Sequence, residues 1–94
     1  LVNCIAIGGV FKVDKKNGTF LTHESPIEYL EQQIKLLEIK KILDSDKATI
    51  TRIILFRIDK PPSDTYSNGL TTTKIISIMI GYCKFLFGFF SSMI

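Results

Sequence analysis

The stretch VNCIAIGGVFKVDKKNGTFLTH, residues 2–23, decides the fold because it contains two strand-like segments separated by one polar turn. Residues 1–13 are almost unbroken in apolar character, which is typical of a strand that is buried on both faces. Residues 14–18 predict a turn, in which Asn17-Gly18 supplies the positive φ angles. Residues 19–22 then predict a strand that returns alongside the first.

Gly8-Gly9 interrupts the first strand, and glycine inside a strand usually marks a bulge, a corner or a close backbone approach. A flat hairpin about Lys15-Lys16 would place His23 opposite Gly9 or Val10, about 17 Å from Cys4 at the rise of a strand. We therefore expect that Cys4 and His23 meet only if the glycine pair breaks the first strand and turns its beginning onto another sheet.

A helix is predicted next, because Ser25-Pro26-Ile27-Glu28 has the pattern of a capping box with Pro26 at the first helical position. The helix is expected to span residues 26–43 and to end at Asp44-Ser45-Asp46. Its predicted core face carries apolar side chains at helical spacing, namely Ile27, Leu30, Ile34 and Leu37, widened by Leu36, Ile39 and Leu43.

The second half of the chain predicts one strand, one long loop and an apolar end. Residues 50–58 are rich in β-branched and aromatic side chains and predict a strand, followed by a loop of roughly a dozen residues. Residues 71–74 can begin a helix that Gly88 closes. Residues 75–94 carry a single charge, Lys84, so two interpretations stand: a buried helix followed by an apolar strand, which we favour, or a membrane span.

These elements predict an α+β fold, a layered sandwich of mixed or antiparallel strands with a capped helix over residues 26–43 and a second, C-terminal helix. Residues 1–94 are expected to form a single domain, since 94 residues suffice for one core. Because residues 1–7 have the character of a strand interior, we expect the domain to be truncated at its N-terminus.

Composition narrows the classes of function. Hydrophobic residues make up 46% and charged residues 22%, which argues against disorder. The net charge of +3 is spread along the chain without a basic run, which argues against nucleic-acid binding. Cys4 and Cys83 are far apart and His23 is the single histidine, so neither a disulfide framework nor a zinc site is expected. Reduced thiols predict a cytoplasmic protein.

The order of elements resembles a known family, and three segments carry the resemblance: Cys4-Ile5-Ala6-Ile7, Gly8-Gly9, and Gly18-Thr19-Phe20-Leu21-Thr22-His23. Together with the helix and strand that follow, they cover about residues 3–58. This arrangement is similar to the chemoreceptor glutamine deamidases of the CheD type and, more distantly, to the catalytic domain of the cytotoxic necrotizing factor toxins. The spacing of nineteen residues between Cys4 and His23 is close to that of the family.

The resemblance implies a cofactor-free amidohydrolase that acts on a glutamine side chain presented by a protein substrate. Cys4 would be the nucleophile and His23 its base, with no metal and no organic cofactor. The sequence departs from the family where Val2-Asn3 precede the cysteine and Glu24-Ser25-Pro26 follow the histidine. The hydroxyl residue that the family uses upstream of its cysteine has no counterpart in this sequence.

Simpler interpretations exist for each candidate residue. Cysteine is among the most buried residue types, so Cys4 can be a core side chain, and Cys83 is expected to be one. A lone histidine such as His23 is often exposed and paired with a neighbouring acid, here Glu24. Arg52 and Arg57 are expected to be solvated or to face a sheet edge. In the predicted loop, Asp64, Tyr66 and Asn68 can shape a substrate rim or merely form turns.

Three functions therefore remain open at the level of sequence. The first is the thiol amidohydrolase, for which transglutamination or thioester hydrolysis by the same two residues cannot be separated from deamidation. The second is a non-catalytic α+β module that binds another protein. The third is a small membrane-anchored protein that uses residues 75–94 as its span.

Overall fold

The computed structural model describes residues 4–57 and 65–94, which form one mixed sheet and two long helices. The elements are β1 (Ile5–Val13), β2 (Lys16–Glu24), α1 (Tyr29–Ser45), β3 (Thr49–Arg57), α2 (Thr72–Phe87) and β4 (Ser92–Met93), with a short 3-10 turn, Pro26–Glu28, before α1. The strand order is β2-β1-β3-β4; β1 is antiparallel to both neighbours, and β4 is parallel to β3. The predicted α+β class is confirmed.

The β1–β2 hairpin turns one residue earlier than the sequence indicated. Val13 pairs with Lys16, so Asp14 and Lys15 form the turn, and Asp14 takes the positive φ of 56°. The prediction that Asn17-Gly18 lies in the turn was wrong, because both residues are part of β2. Gly18 is needed there for close packing instead: a Cβ at this position would lie 2.4 Å from the ring of Phe11.

The predicted break at Gly8-Gly9 is absent, because β1 pairs continuously with β2 and β3 through both glycines. The register of β1 against β3 shifts only further along, between Val10 and Phe11. Gly9 serves packing within the strand, since a Cβ there would lie 2.2 Å from the ring of Phe20. The glycine thus lets an aromatic ring of β2 lie across β1 without interrupting the sheet.

The core lies between one face of the sheet and the two helices. Its fully or nearly buried side chains come from alternate positions of β1 and β3 and from one side of each helix: Ile5, Ile7, Ile53, Leu55, Leu36, Ile75, Ile76, Met79 and Cys83. Because successive side chains of a strand point to opposite faces, the other face of β1 and β3 is turned away from these helices. The predicted burial of β1 on both faces holds in part: on the face away from the helices Gly8 is buried, Ala6 and Val10 are half-buried, and Lys12 is exposed.

Helix α1 contacts the sheet with one edge of the face that the sequence predicted. Leu36 and Leu43 are buried as expected, together with Gln32, which was expected on the wet side. The centre of the predicted face is instead exposed, namely Ile27, Leu30, Ile34 and Leu37. Apolar residues occur on both sides of this helix, so periodicity alone did not distinguish them.

The amide of Gln32 joins α1 to the open end of the hairpin. Its Nε2 lies 3.1 Å from the carbonyl oxygen of Ile5, 3.3 Å from that of Thr22 and 3.0 Å from the Thr22 hydroxyl. All three contacts are buried. A buried amide is costly unless it is hydrogen-bonded. These three contacts therefore allow Gln32 to lie in the core between α1 and the sheet.

The two helices begin differently. Ser25 makes no side-chain capping bond, and its carbonyl instead accepts the Glu28 N–H at 2.9 Å in the 3-10 turn. The predicted capping box is therefore wrong, and α1 begins at Tyr29. Helix α2 begins as predicted, because the Thr71 hydroxyl accepts the Lys74 N–H at 3.1 Å. It closes on Gly88, whose φ is 88°.

The apolar C-terminal segment forms helix α2 and the short strand β4, as the favoured interpretation predicted. Phe87, Phe89 and Phe90 pack against the core. Within residues 4–57 and 65–94, no helix has both the length and the apolar character that a membrane crossing requires. The predicted strand 50–58 is observed as Thr49–Arg57, whereas Ile58 and the first half of the predicted loop lie outside the described residues.

Replacement of Gln32 by leucine is expected to lower the free energy of unfolding by about 1–3 kcal/mol, because two strand carbonyls and a hydroxyl lose a buried donor. Urea denaturation followed by circular dichroism measures the change. Gln33→Leu is the matched control, since that side-chain amide reaches only the Met79 sulfur, at 4.0 Å. Equal losses in the two variants would contradict a special role for Gln32.

Stability is expected to fall as the pH rises above about 9, because burial raises the pKa of the Cys83 thiol to about 12 from an ordinary value of 9.0. The unfolded thiol loses its proton at a pH where the folded thiol keeps it, so unfolding releases a proton and becomes easier. The slope from this group is at most about 1.4 kcal/mol per pH unit.

The comparison variant for this slope is Cys83→Ala, studied by urea denaturation between about pH 8 and about pH 10.5. The Cys83→Ala curve should be lower throughout but flatter above pH 9. The pKa of Tyr82 is also raised, by burial and by the charge of Cys83. The part caused by Cys83 disappears in Cys83→Ala and therefore adds to the flattening. Parallel curves for the two proteins would show that the Cys83 thiol does not control the alkaline limit.

Candidate functional site

His23 lies on the face of the sheet that Ala6 shares, since the two residues pair directly. Side chains alternate along a strand, so Ile5 and Ile7 point to the opposite face, into the core. Cys4 is the residue before β1, and the same alternation, continued by one residue, would put it on the face of Ala6 and His23. This face is turned away from α1 and α2, and we call it the open face.

The register, continued by one residue, would make Cys4 and His23 diagonal neighbours. Diagonal positions of an antiparallel pair have Cα atoms about 7–8 Å apart, with Cβ atoms somewhat closer. The expected separation of about 17 Å was wrong, because His23 pairs with Ala6 and not with Gly9 or Val10. A turn centred on Lys15-Lys16 would itself put His23 opposite Gly8, and the observed turn at Asp14-Lys15 moves the register by two further residues. The half-buried Cys4 and the exposed His23 thus come to the same end of the sheet without any break in β1.

In the part of the chain that the structure describes, no hydrogen bond joins the Cys4 thiol to the His23 imidazole. The imidazole is exposed, so several rotamers are open to it. Contact between the imidazole and the sulfur would require such a change of rotamer.

Glu24 does not pair with His23, contrary to one expectation from the sequence. Its carboxylate forms an ion pair with Lys35 of α1, on the helical side of the sheet. Neighbouring residues of a strand point to opposite faces, so Glu24 and His23 cannot share an environment. Among the described residues, the other ionisable side chains at open-face positions are Lys12 and Arg52, both basic and both exposed.

An apolar groove of about 250 Å³ lies on the open face, and its lining begins at Leu21, two residues before His23 in β2, without including His23 or Cys4. Gly8 forms its floor in the central strand, and its walls include Leu21 of β2 with Ile54 and Phe56 of β3. The walls lean over the glycine: a Cβ at Gly8 would lie 3.2 Å from the Phe56 ring and 3.5 Å from a Leu21 methyl group. Sequence reasoning missed this groove, although the β3 segment is apolar at both alternating sets of positions.

The second cysteine belongs to the core, as predicted. Cys83 is fully buried in α2, on the helical side of the sheet, and burial raises the pKa of its thiol to about 12. It therefore stays protonated at neutral pH and is no nucleophile. The two cysteines, both free, thus occupy opposite environments, with only Cys4 at the open face.

The residues considered for a substrate rim serve the turn before α2. The Tyr66 hydroxyl lies 2.9 Å from the Thr72 hydroxyl. The Asn68 side-chain oxygen accepts the Leu70 N–H at 3.0 Å. Asp64 lies outside the described residues. Residues 4–57 and 65–94 contain no group of three or more His, Cys, Asp or Glu side chains that could hold a metal ion.

Comparisons of the chain with models of protein families, with curated proteins and with solved structures found no match. The chemistry of this site is therefore argued from its own residues, namely a thiol and an imidazole on the open face beside an apolar groove.

Proposed function

We propose that this protein is a thiol amidohydrolase that deamidates glutamine side chains of a protein substrate, with Cys4 as nucleophile and His23 as general base. The observation that supports the proposal is the hairpin register, which pairs His23 with Ala6, two residues after Cys4. The resemblance of the segment around them to glutamine deamidases of the CheD type supports the choice of reaction.

The reaction follows from the two groups. The imidazole of His23 takes the thiol proton of Cys4, and the thiolate attacks the carboxamide carbon of glutamine, forming a C–S bond. The C–N bond then breaks as the imidazolium gives its proton to the departing ammonia. Water attacks the thioester, the imidazole takes a proton from it, and the thiolate leaves. The sum is glutamine plus water to glutamate plus ammonia.

The amide of Gln32 supports this geometry from the opposite face of the sheet. It binds the carbonyl oxygens of Ile5 and Thr22, which are the residues next to Cys4 and His23 in the chain. One side chain therefore holds the two strand ends in a fixed relation. The freedom that remains for the site is rotation of the His23 and Cys4 side chains, which leaves the backbone in place.

The exposure of the site suits a large substrate. His23 is open to solvent, and the groove beside it is broad and shallow enough to admit a segment of another protein. The proposed setting is the cytosol, where free thiols such as Cys4 stay reduced. The non-catalytic interaction module is the alternative if Cys4 lacks reactivity.

Alkylation of Cys4 by iodoacetamide is expected to be rapid at about pH 6, and about ten-fold slower in His23→Ala, because the imidazolium stabilises the thiolate. Mass spectrometry of tryptic peptides separates Cys4 from the buried Cys83, which serves as the internal control. Thr19→Ala is the matched variant, since it is an exposed residue on the same face of β2 and should leave the rate unchanged.

The reaction itself is tested by ammonia release from glutamine-containing peptides, with loss of activity expected in both Cys4→Ala and His23→Ala. If Cys4 alkylates slowly, with an ordinary thiol midpoint that His23→Ala does not change, the enzyme assignment fails. The interaction module would then be the better account of the open face.

A further inference from the structure

We infer that the groove beside Cys4 and His23 binds an extended segment of the substrate that carries an apolar side chain and an acidic side chain on the same side as the reactive glutamine. This inference rests on the proposed function, and it assigns the class of substrate. Its three supports are the apolar lining of the groove, its width, and the charge at its far end.

The lining selects for an apolar side chain. Leu21 is 64% exposed, and the half-buried Ile54 and Phe56 face the same groove, so an apolar surface lies open to water directly beside the dyad. An antiparallel sheet with one solvated face normally carries polar residues on that face. The apolar residues on the open face of β2 and β3 depart from this pattern. The Phe56 ring and a Leu21 methyl group already lie over Gly8, so an apolar side chain of the segment would pack on these walls rather than against the glycine.

The width of the groove favours an extended segment over a helix. Strands β2 and β3 flank β1, so their backbones are about 9–10 Å apart, and their side chains narrow this gap further. A helix with its side chains is about 10–12 Å across and would touch only the rims. A single extended chain, in contrast, can lie along β1 and place alternate side chains on the floor.

Two basic residues of the protein indicate which charge the far end of the bound segment carries. Arg52 pairs with Val10, which lines the end of the groove farthest from His23, and Lys12 follows on the same face. Over the described residues, neither forms an ion pair, and no carboxylate occupies an open-face position. An acidic side chain of the bound segment would be attracted to these two cations, whereas a basic side chain would be repelled.

The positions along β1 give the spacing. Gly8 lies four residues after Cys4, and Val10, beside Arg52, lies six residues after it. A segment that runs along β1 has the same rise per residue, so the apolar side chain belongs four residues from the glutamine and the acid six residues from it. These even spacings place all three side chains on one face of an extended chain.

The probe is a fluorescein-labelled peptide, Glu-Ser-Leu-Ser-Gly-Ser-Gln-Ser-Gly-Ser-Leu-Ser-Glu, whose palindromic sequence fits the groove in either chain direction. Its binding to Cys4→Ala, which cannot turn it over, is followed by fluorescence anisotropy. We expect the peptide with both leucines replaced by serine to bind about ten-fold more weakly. The peptide with both glutamates replaced by lysine should also bind more weakly, to a degree that salt reduces.

Two further variants of Cys4→Ala locate the binding surface. Leu21→Ser should abolish the preference for leucine, whereas Leu30→Ser should not, although Leu30 is 59% exposed on the outer side of α1. Arg52→Glu should reverse the preference for glutamate over lysine, whereas Lys41→Glu, also an exposed cation, should not. All four positions are outside the buried core, so the fold should survive, as circular dichroism would verify.

Equal binding of the leucine and serine peptides, or of the glutamate and lysine peptides, would overturn the inference. So would self-association in sedimentation experiments that Leu21→Ser abolishes, since the groove would then be occupied by a second copy of the chain. Failure of the proposed function is a separate result: the unaltered protein would bind the leucine peptide selectively but release no ammonia from it.

Discussion

The hydrogen bonds of the Gln32 amide are the constraint on which the rest of the structure depends. One nitrogen reaches the carbonyl oxygens of Ile5 and Thr22, in two neighbouring strands, and the Thr22 hydroxyl. A buried amide is costly unless it is hydrogen-bonded, and these contacts are what allow Gln32 to occupy a core position. The side of α1 that contacts the sheet thus includes a polar group, while Leu30, Ile34 and Leu37 remain exposed.

The hairpin register determines what the sheet can do. With Val13 paired to Lys16, the core receives Ile5 and Ile7, and Cys4 comes to the open face with His23. A shift of one residue in either strand would exchange the two faces and bury the thiol. The packing that stabilises the core and the placement that allows chemistry thus follow from the same pairing.

The two cysteines lie in different environments, and the environment decides what each thiol can do. Cys83 is enclosed by apolar side chains, and burial raises the pKa of its thiol to about 12. Cys4 is half-buried at the edge of the open face, close to an imidazole whose neighbouring carboxylate, Glu24, is held by Lys35 on the other side of the sheet. Only the second environment combines access to solvent with a base.

The sequence by itself determined the α+β class, the location of the strands, and the α2 caps at Thr71 and Gly88, because these depend on local pattern. It nominated Cys4 and His23 as a candidate site by residue type alone. Only the tertiary structure decided the distance between Cys4 and His23, the buried side of α1, and the groove over Gly8. Each of these depends on contacts between residues distant in the chain. A turn displaced by one residue, or one buried amide, changes them while leaving the local pattern the same.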